Sequence, residues 1–289
     1  MRPVAIVTDS THYLTRELVD RAGVVEVSLY LHSGGRAERE LACTDYDAFY
    51  GALAEGGSLP STSQPSIGDF VAAYEPLLES GSDIVSIHLS GGLSGTTEAA
   101  RQAKAMLEER GAPGRIEVID SQTAGGGLGC VVLAAAAAAR SGGDAQTVLE
   151  RAETARDAMR LWFCLDTLEY LQRGGRVGRA AAWTGGALQI KPILSVRSEI
   201  TPVERVRTAG RGFERMVEYM RELRESGSDA WVVQHVQAPE RAAALADRGR
   251  ELFGSEPVWV SEIGPVIGTY TGPGLLGVGG LPASLLVGL

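Results

Sequence analysis

The sequence predicts an α/β fold in two domains, with a mostly parallel N-terminal sheet carrying helices on both faces and a mixed C-terminal sheet. Three observations carry that expectation. In the first half, near-continuous apolar runs of strand length alternate with amphipathic stretches of helix length, the rhythm of parallel strands joined by crossover helices. After residue 160 the rhythm changes: "QIKPILSV" and "ITPVERVRT" are separated only by Arg197-Ser198-Glu199, and so short a connection joins antiparallel strands. Between the halves, "SGGDAQTVLERAETARDAMR" (141–160) reads as a turn and a polar connecting helix, which places the boundary between residues 155 and 156.

In order, the first domain (1–155) offers strands at "VAIVTDS" (4–10), "VVEVSLYLH" (24–32), "DIVSIHL" (83–89) and "RIEVID" (115–120). Helix patterns fall between them at "TRELVDRA", "TDYDAFYGALAEG", "SIGDFVAAYEPLLES" and "TTEAARQAKAMLEERG". The loop and helix around 57–80 are the part expected to pack with the second domain. "DSQTAGGGLG" (120–129) leads into the alanine-rich run "CVVLAAAAAA" (130–139), read as a close-packed helix that glycines 125, 127 and 129 bring near the sheet. The second domain (156–289) offers the strand "LWFCLDT", the short helix "LEYLQR", the hairpin, and a helix over 211–225. The strand "DAWVVQHV", a helix over 239–253 and the strand "PVWVSEI" follow. "GPVIGTYTGPG" (264–274) reads as strand-like with a tight Gly-Pro-Gly stop, its glycines pointing to close approach of backbone or ligand.

Composition narrows the function classes. The chain has 289 residues, is 44% hydrophobic and 22% charged, and carries a net charge of -9 with no Lys/Arg cluster, so nucleic acid is not an expected partner. Cys43, Cys130 and Cys164 are far apart and form no CxxC, which argues against a zinc or redox motif and fits a reducing compartment. "MRPVAIVTDS" meets Asp9 too early for a signal peptide, and the alanine run is too short to span a bilayer, so a cytoplasmic location is expected.

Three strands of the first half end in small polar residues: Thr8-Asp9-Ser10-Thr11, Ser90-Gly91-Gly92 and Asp120-Ser121. In open α/β sheets ligands gather at such carboxyl ends. "LSGGLSGTTEAARQ" (89–102) runs from strand to helix start, where outward N–H groups and the helix dipole favour an anion. It lacks the Lys of a phosphate-binding loop and the spacing of a dinucleotide fingerprint. Gly92-Leu93-Ser94-Gly95-Thr96 is one glycine out of register with the esterase elbow, and nothing singles out His12, His32, His88 or His235 as a base. A serine esterase or thioesterase using Ser94 is therefore the second reading. "PSTSQPS" (60–66) is a proline-bracketed loop carrying four hydroxyls, and Arg173 and Arg176 of "LQRGGR" are left either solvated or facing a partner.

Taken together, the segments resemble the DegV family, which includes the fatty-acid-binding (FakB-like) subunits of bacterial fatty acid kinase. The pieces occur in order: "TDST" at 8–11, "TSQPS" at 62–66, "LSGT" at 93–96, "VIDS" at 118–121, "LEYLQRGGRVG" at 168–178, "IKPIL" at 190–194, "VRT" at 206–208 and "GTYTGPG" at 268–274. The resemblance implies a two-domain α/β (DegV/EDD-like) fold holding one long-chain fatty acid between the domains. It implies no cofactor, metal or catalytic residue in this chain. The carboxylate would be held by Thr62 and Ser94, with Arg207 near and Tyr270 standing where the family commonly has His. Ser63, Gly95, Thr96 and Thr271 would support them. The expected partner is a separate ATP-dependent (FakA-like) kinase subunit that makes acyl phosphate, and transient contact with a membrane is compatible with that role.

Overall fold

In the computed structural model, which describes residues 2–55, 59–183 and 190–289, thirteen strands form three sheets. In chain order the first seven are β1 (Val4–Asp9), β2 (Val25–Val27), β3 (Tyr30–Ser33), β4 (Arg36–Arg39), β5 (Ser61–Ser63), β6 (Asp83–His88) and β7 (Ile116–Asp120). The rest are β8 (Arg160–Cys164), β9 (Lys191–Arg197), β10 (Glu199–Val206), β11 (Ala230–His235), β12 (Trp259–Glu262) and β13 (Leu276–Leu281). The first sheet, ordered β2-β1-β6-β7, is parallel throughout. The largest, ordered β10-β9-β8-β13-β11-β12, is antiparallel except for the β11–β12 pair, and so is mixed.

Strand alternation explains the layers of the parallel sheet. Val7 and Ile84 face helices Ile67–Glu79 and Thr96–Glu109, packing with Phe70, Tyr74, Ala100 and Leu107. Ile6, Val85 and Ile87 face the other way, onto the core that contains helix Gly126–Arg140. That helix is buried from Gly126 to Ala138. Its small residues have a steric reason: a Cβ on Gly129 would lie 2.9 Å from the Trp259 ring, so only close-packing side chains fit along it. The polar helix Ala145–Ala158 lies beside it, burying Val148, Ala152 and Ala155 in the same core. The hairpin of β9 and β10 is present as the spacing indicates, turning at Ser198 with φ 64°.

Three expectations need correction. The run 24–32 is not one strand. The chain leaves the parallel sheet at Ser28–Leu29, where the Leu29 N–H donates to the Ser10 hydroxyl (3.1 Å) and the Ser28 hydroxyl accepts from Leu41 N–H (3.1 Å); beyond that point β3 pairs with β4 and β5 in a small antiparallel sheet. Residues 265–271 are a helix, Pro265–Thr271, and not a strand. Pro265 presets its first turn and Gly272, at φ 69°, ends it; Gly268 lets it rest on the Tyr50 hydroxyl, where any Cβ would collide. The last strand is instead β13, whose glycines hid its pattern. Finally, of the segment 57–80 it is β5, through Thr62, that reaches the second half, so residues 61–63 of the expected loop are a strand, whereas helix Ile67–Glu79 packs on the parallel sheet. Residues 57–58 of that segment and Gln189 of the hairpin's first run lie outside the described residues.

Candidate functional site

The carboxyl ends of β6 and β7 feed two loops, 89–95 and 121–125, that run into the helices starting at Thr96 and Gly126. Between these loops and the face of the mixed sheet lies a cavity of about 220 Å³, far above the roughly 10–15 Å³ that one water requires. Its walls are mainly apolar: Leu89 and Leu93 from the loop, Phe163 of β8, Val232 of β11, and Ile267 and Leu275 from either side of Gly272. Gly277 in the centre of the mixed sheet also lines it, and the missing side chain deepens the floor. Such a space suits an apolar chain.

Its polar lining comes from distant parts of the sequence. Thr62 Oγ1 and the Tyr270 hydroxyl are hydrogen-bonded at 2.6 Å across 208 residues. The Arg176 guanidinium lies over the Tyr270 ring, 4.9 Å from its centroid. Ser94 Oγ and Thr96 Oγ1 are 2.9 Å apart, and Ser94 Oγ accepts the Thr96 N–H at 3.4 Å. In each hydroxyl pair one proton is used between the partners and the other stays free to donate outward. At Gly95 a Cβ would come within 2.7 Å of the Gln64 side-chain amide, which rests against this glycine and joins the 62–64 and 94–95 segments.

Of the residues singled out in the sequence, Thr62, Ser63, Ser94, Gly95, Tyr270 and Thr271 all line the cavity, and Thr96 is buried beside Ser94. Arg207 does not. It follows Val206, which is buried against Met216 and Met220, and alternation sends its neighbours outward: Arg205 lies over the Trp183 ring and Arg207 is exposed. Among the described residues, Arg176 is the cation that lines the cavity. Its motif was visible in the sequence, but nothing in the spacing chose a lining position over a solvated one.

Two further networks bear on the chemistry. Glu40, 2% exposed, accepts hydrogen bonds from the Ser10 and Tyr13 hydroxyls and from Val266 N–H, which fixes the start of the helix carrying Tyr270. Burial pushes its carboxyl above the usual range. Separately, Ser86 Oγ, His88 and Asp9 form a chain, with Ser86 2.7 Å from His88 Nε2 and His88 Nδ1 3.2 Å from Asp9. It has the order of a hydrolase triad, but all three residues are fully buried and the Tyr74 hydroxyl donates to Ser86, so no substrate reaches it. Burial pushes the Asp9 carboxyl up, and the bonds from His88, Thr11 and Leu89 outweigh it and hold it below the usual range. Ser94 has no histidine partner among the described residues. Among the same residues no group of three His, Cys, Asp or Glu side chains could hold a metal ion, and no helix is long and apolar enough to cross a membrane.

A family model described as "Uncharacterised protein, DegV family" matches residues 3–283. The chain belongs to the DegV family. A DegV domain-containing protein of Streptomyces coelicolor is 41% identical over 280 residues, covering 96% of this chain and 98% of the relative. Among solved structures, a DegV family protein from Thermus thermophilus, described for its fatty acid binding, matches with TM-score 0.86 and 33% identity, covering 97% of this chain and 99% of that one. DegV from Bacillus subtilis, described as a fatty acid binding protein, matches with TM-score 0.87 and 32% identity over 97% of this chain and all of its own (100%). The two-domain α/β architecture of the family is thus the architecture of this chain.

Proposed function

We propose that this protein is a non-catalytic carrier of one long-chain fatty acid, its tail in the cavity between the sheets and its carboxylate among Thr62, Ser94 and Tyr270. The observation that carries the reading is an apolar cavity with hydroxyl donors and the Arg176 guanidinium gathered in its lining. The fatty-acid-binding descriptions of the two relatives support it. Burying a methylene contributes about 0.8 kcal/mol, so a chain of about fourteen gains roughly 11 kcal/mol before the costs of association. The head group must then keep its hydrogen bonds, because an unpaired buried carboxylate would cost several kcal/mol. Free hydroxyl protons and a guanidinium meet that need without a metal.

The carrier would present this carboxylate to a separate ATP-dependent kinase subunit for acyl phosphate formation, since no nucleotide loop is visible in the chain. The test is mass spectrometry of lipid that co-purifies with the protein, followed by uptake of palmitate or oleate. Folded protein that carries no fatty acid and takes none up would refute the reading. A fluorophosphonate probe separates it from the serine-hydrolase alternative: a carrier's Ser94 stays unlabelled.

A further inference from the structure

A second cavity, of about 200 Å³, lies where the two halves of the chain meet. It shares Leu161 and Val196 with the first cavity and none of the residues around Tyr270. Three arginines line it from separate elements: Arg156 from the end of helix Ala145–Ala158, Arg160 from the start of β8 and Arg197 from the end of β9. Ser121, Thr123 and Ser195 also line it. The hairpin turn closes it against the first half, with Ser198 N–H donating to the Gln122 carbonyl at 2.8 Å.

The polar groups here are not consumed by each other. Asp157 pairs with Arg156 at 3.1 Å and stands 4.0 Å from Arg197, and Glu153 is 3.8 Å from Arg156. Three guanidiniums therefore meet two carboxylates, and the Arg160 guanidinium has no partner among the described residues. The Thr123 hydroxyl is buried over Gly127 and takes no part in the cavity wall. Excess positive charge at one spot of a chain of net charge -9, with one arginine unpaired, is the observation that calls for an anionic ligand.

We infer that this pocket is an anion site, distinct from the acyl cavity, that takes a phosphoryl group as inorganic phosphate or as a phosphate monoester. Arginines supplied by three separate elements match a tetrahedral oxyanion with three or more terminal oxygens better than the two coplanar oxygens of a carboxylate. Trp162 also lines the pocket and reports occupancy through its fluorescence.

The experiment titrates inorganic phosphate, methyl phosphate and acetate into the intact protein at constant ionic strength, following Trp emission and heat. Saturable one-to-one binding of phosphate is expected, weakened about tenfold or more by Arg160→Ala and by Arg197→Ala, the loss expected for one charge-assisted contact. Both residues are exposed, so the variants should fold, and their fatty-acid uptake should be unchanged. Binding of inorganic phosphate alone supports the site and assigns the free ion; binding of methyl phosphate as well supports it and assigns a monoester. No saturable binding, equal binding of acetate, or phosphate affinity unchanged in an Arg160→Ala/Arg197→Ala double variant would overturn the inference. None of these outcomes bears on the acyl cavity, which the uptake measurement tests by itself.

Discussion

The Glu40 carboxylate accepts the backbone N–H of Val266 at 2.8 Å, across 226 residues of chain. With the Tyr13 hydroxyl, which donates to Glu40 (2.7 Å) and accepts from Ile267 N–H (3.1 Å), it satisfies the first free N–H groups of the helix that carries Tyr270. Removing the acceptor leaves these buried donors unsatisfied, at about 1–3 kcal/mol each. Glu40→Ala is therefore expected to lower unfolding free energy by a few kcal/mol and to weaken fatty-acid binding through a displaced Tyr270. Denaturant titration checks the first and a binding isotherm the second. A variant of native stability would show that the helix start finds other acceptors.

The same residue has a pH signature. Its folded carboxyl is raised by burial, so the folded state binds the proton more tightly than the unfolded chain. The Glu40 contribution to stability should fall as pH rises from the ordinary Glu value, about 4.3, through the folded one. Glu40→Gln keeps the shape and removes the titration. The difference between wild-type and variant stability, measured from about pH 4 to 8, should slope in that sense. A flat difference would place the ionised carboxylate at no disadvantage in this site.

Ser94→Ala and Thr62→Ala should each weaken fatty-acid binding by about 1–3 kcal/mol, the range for a hydrogen bond lost by a buried charge. Thr62 has the more complex outcome, because the Tyr270 hydroxyl loses its partner as well. Affinity by isothermal titration with palmitate decides it, and full affinity in both variants would move the head group away from these hydroxyls.

The depth of the cavity gives a prediction about chain length. Gly277 sits on the floor, and a Cβ there would lie 3.3 Å from Phe163 Cβ, tight but without collision. Gly277→Val therefore adds bulk to the space that a tail would fill while the strand survives. Each displaced methylene costs about 0.8 kcal/mol, so two would cost about tenfold in affinity. Palmitate should lose more than decanoate in a competition assay. Equal losses would mean that the tail does not cross this strand.

The legible parts of the sequence were those where local chemistry matches the final environment. The parallel strands carried uninterrupted apolar runs because both faces are covered, and "LSGT" marked the loop after β6 by its hydroxyls, whereas "TSQPS" begins within β5 of the small antiparallel sheet. What escaped depended on long-range partners. Residues 265–271 looked extended until Glu40 and Tyr50 supplied the contacts that favour a helix. β13 escaped because its glycines answer to neighbours such as Phe163 and Met159, not to an alternating pattern. The arginines are alike in this respect: Arg207 and Arg176 are equally cationic in sequence and both exposed, and only the contact with the Tyr270 ring sets Arg176 at the cavity wall while the burial of Val206 leaves Arg207 away from it.

That exchange of arginines is itself testable. If Arg176 supplies the positive charge beside the bound carboxylate, Arg176→Ala should weaken binding by more than Tyr270→Phe, because it leaves a charge uncompensated while the other removes one hydrogen bond. Arg207→Ala, at the exposed residue just past β10, should bind normally. The pH response follows from the same assignment. A guanidinium stays protonated across the physiological range and the Tyr270 hydroxyl adds a donor without adding charge, so affinity should be nearly flat between about pH 6 and 8. Tyr270→His would introduce a group with a reference pKa of about 6.5, whose positive charge assists the carboxylate below that value and is lost above it. Affinity of this variant should therefore fall on the alkaline side of the window, where the native protein does not. Isotherms at four or five pH values for the native protein and the four variants measure all of this at once. An Arg207→Ala protein that fails to bind, beside an Arg176→Ala protein that binds fully, would reverse the assignment.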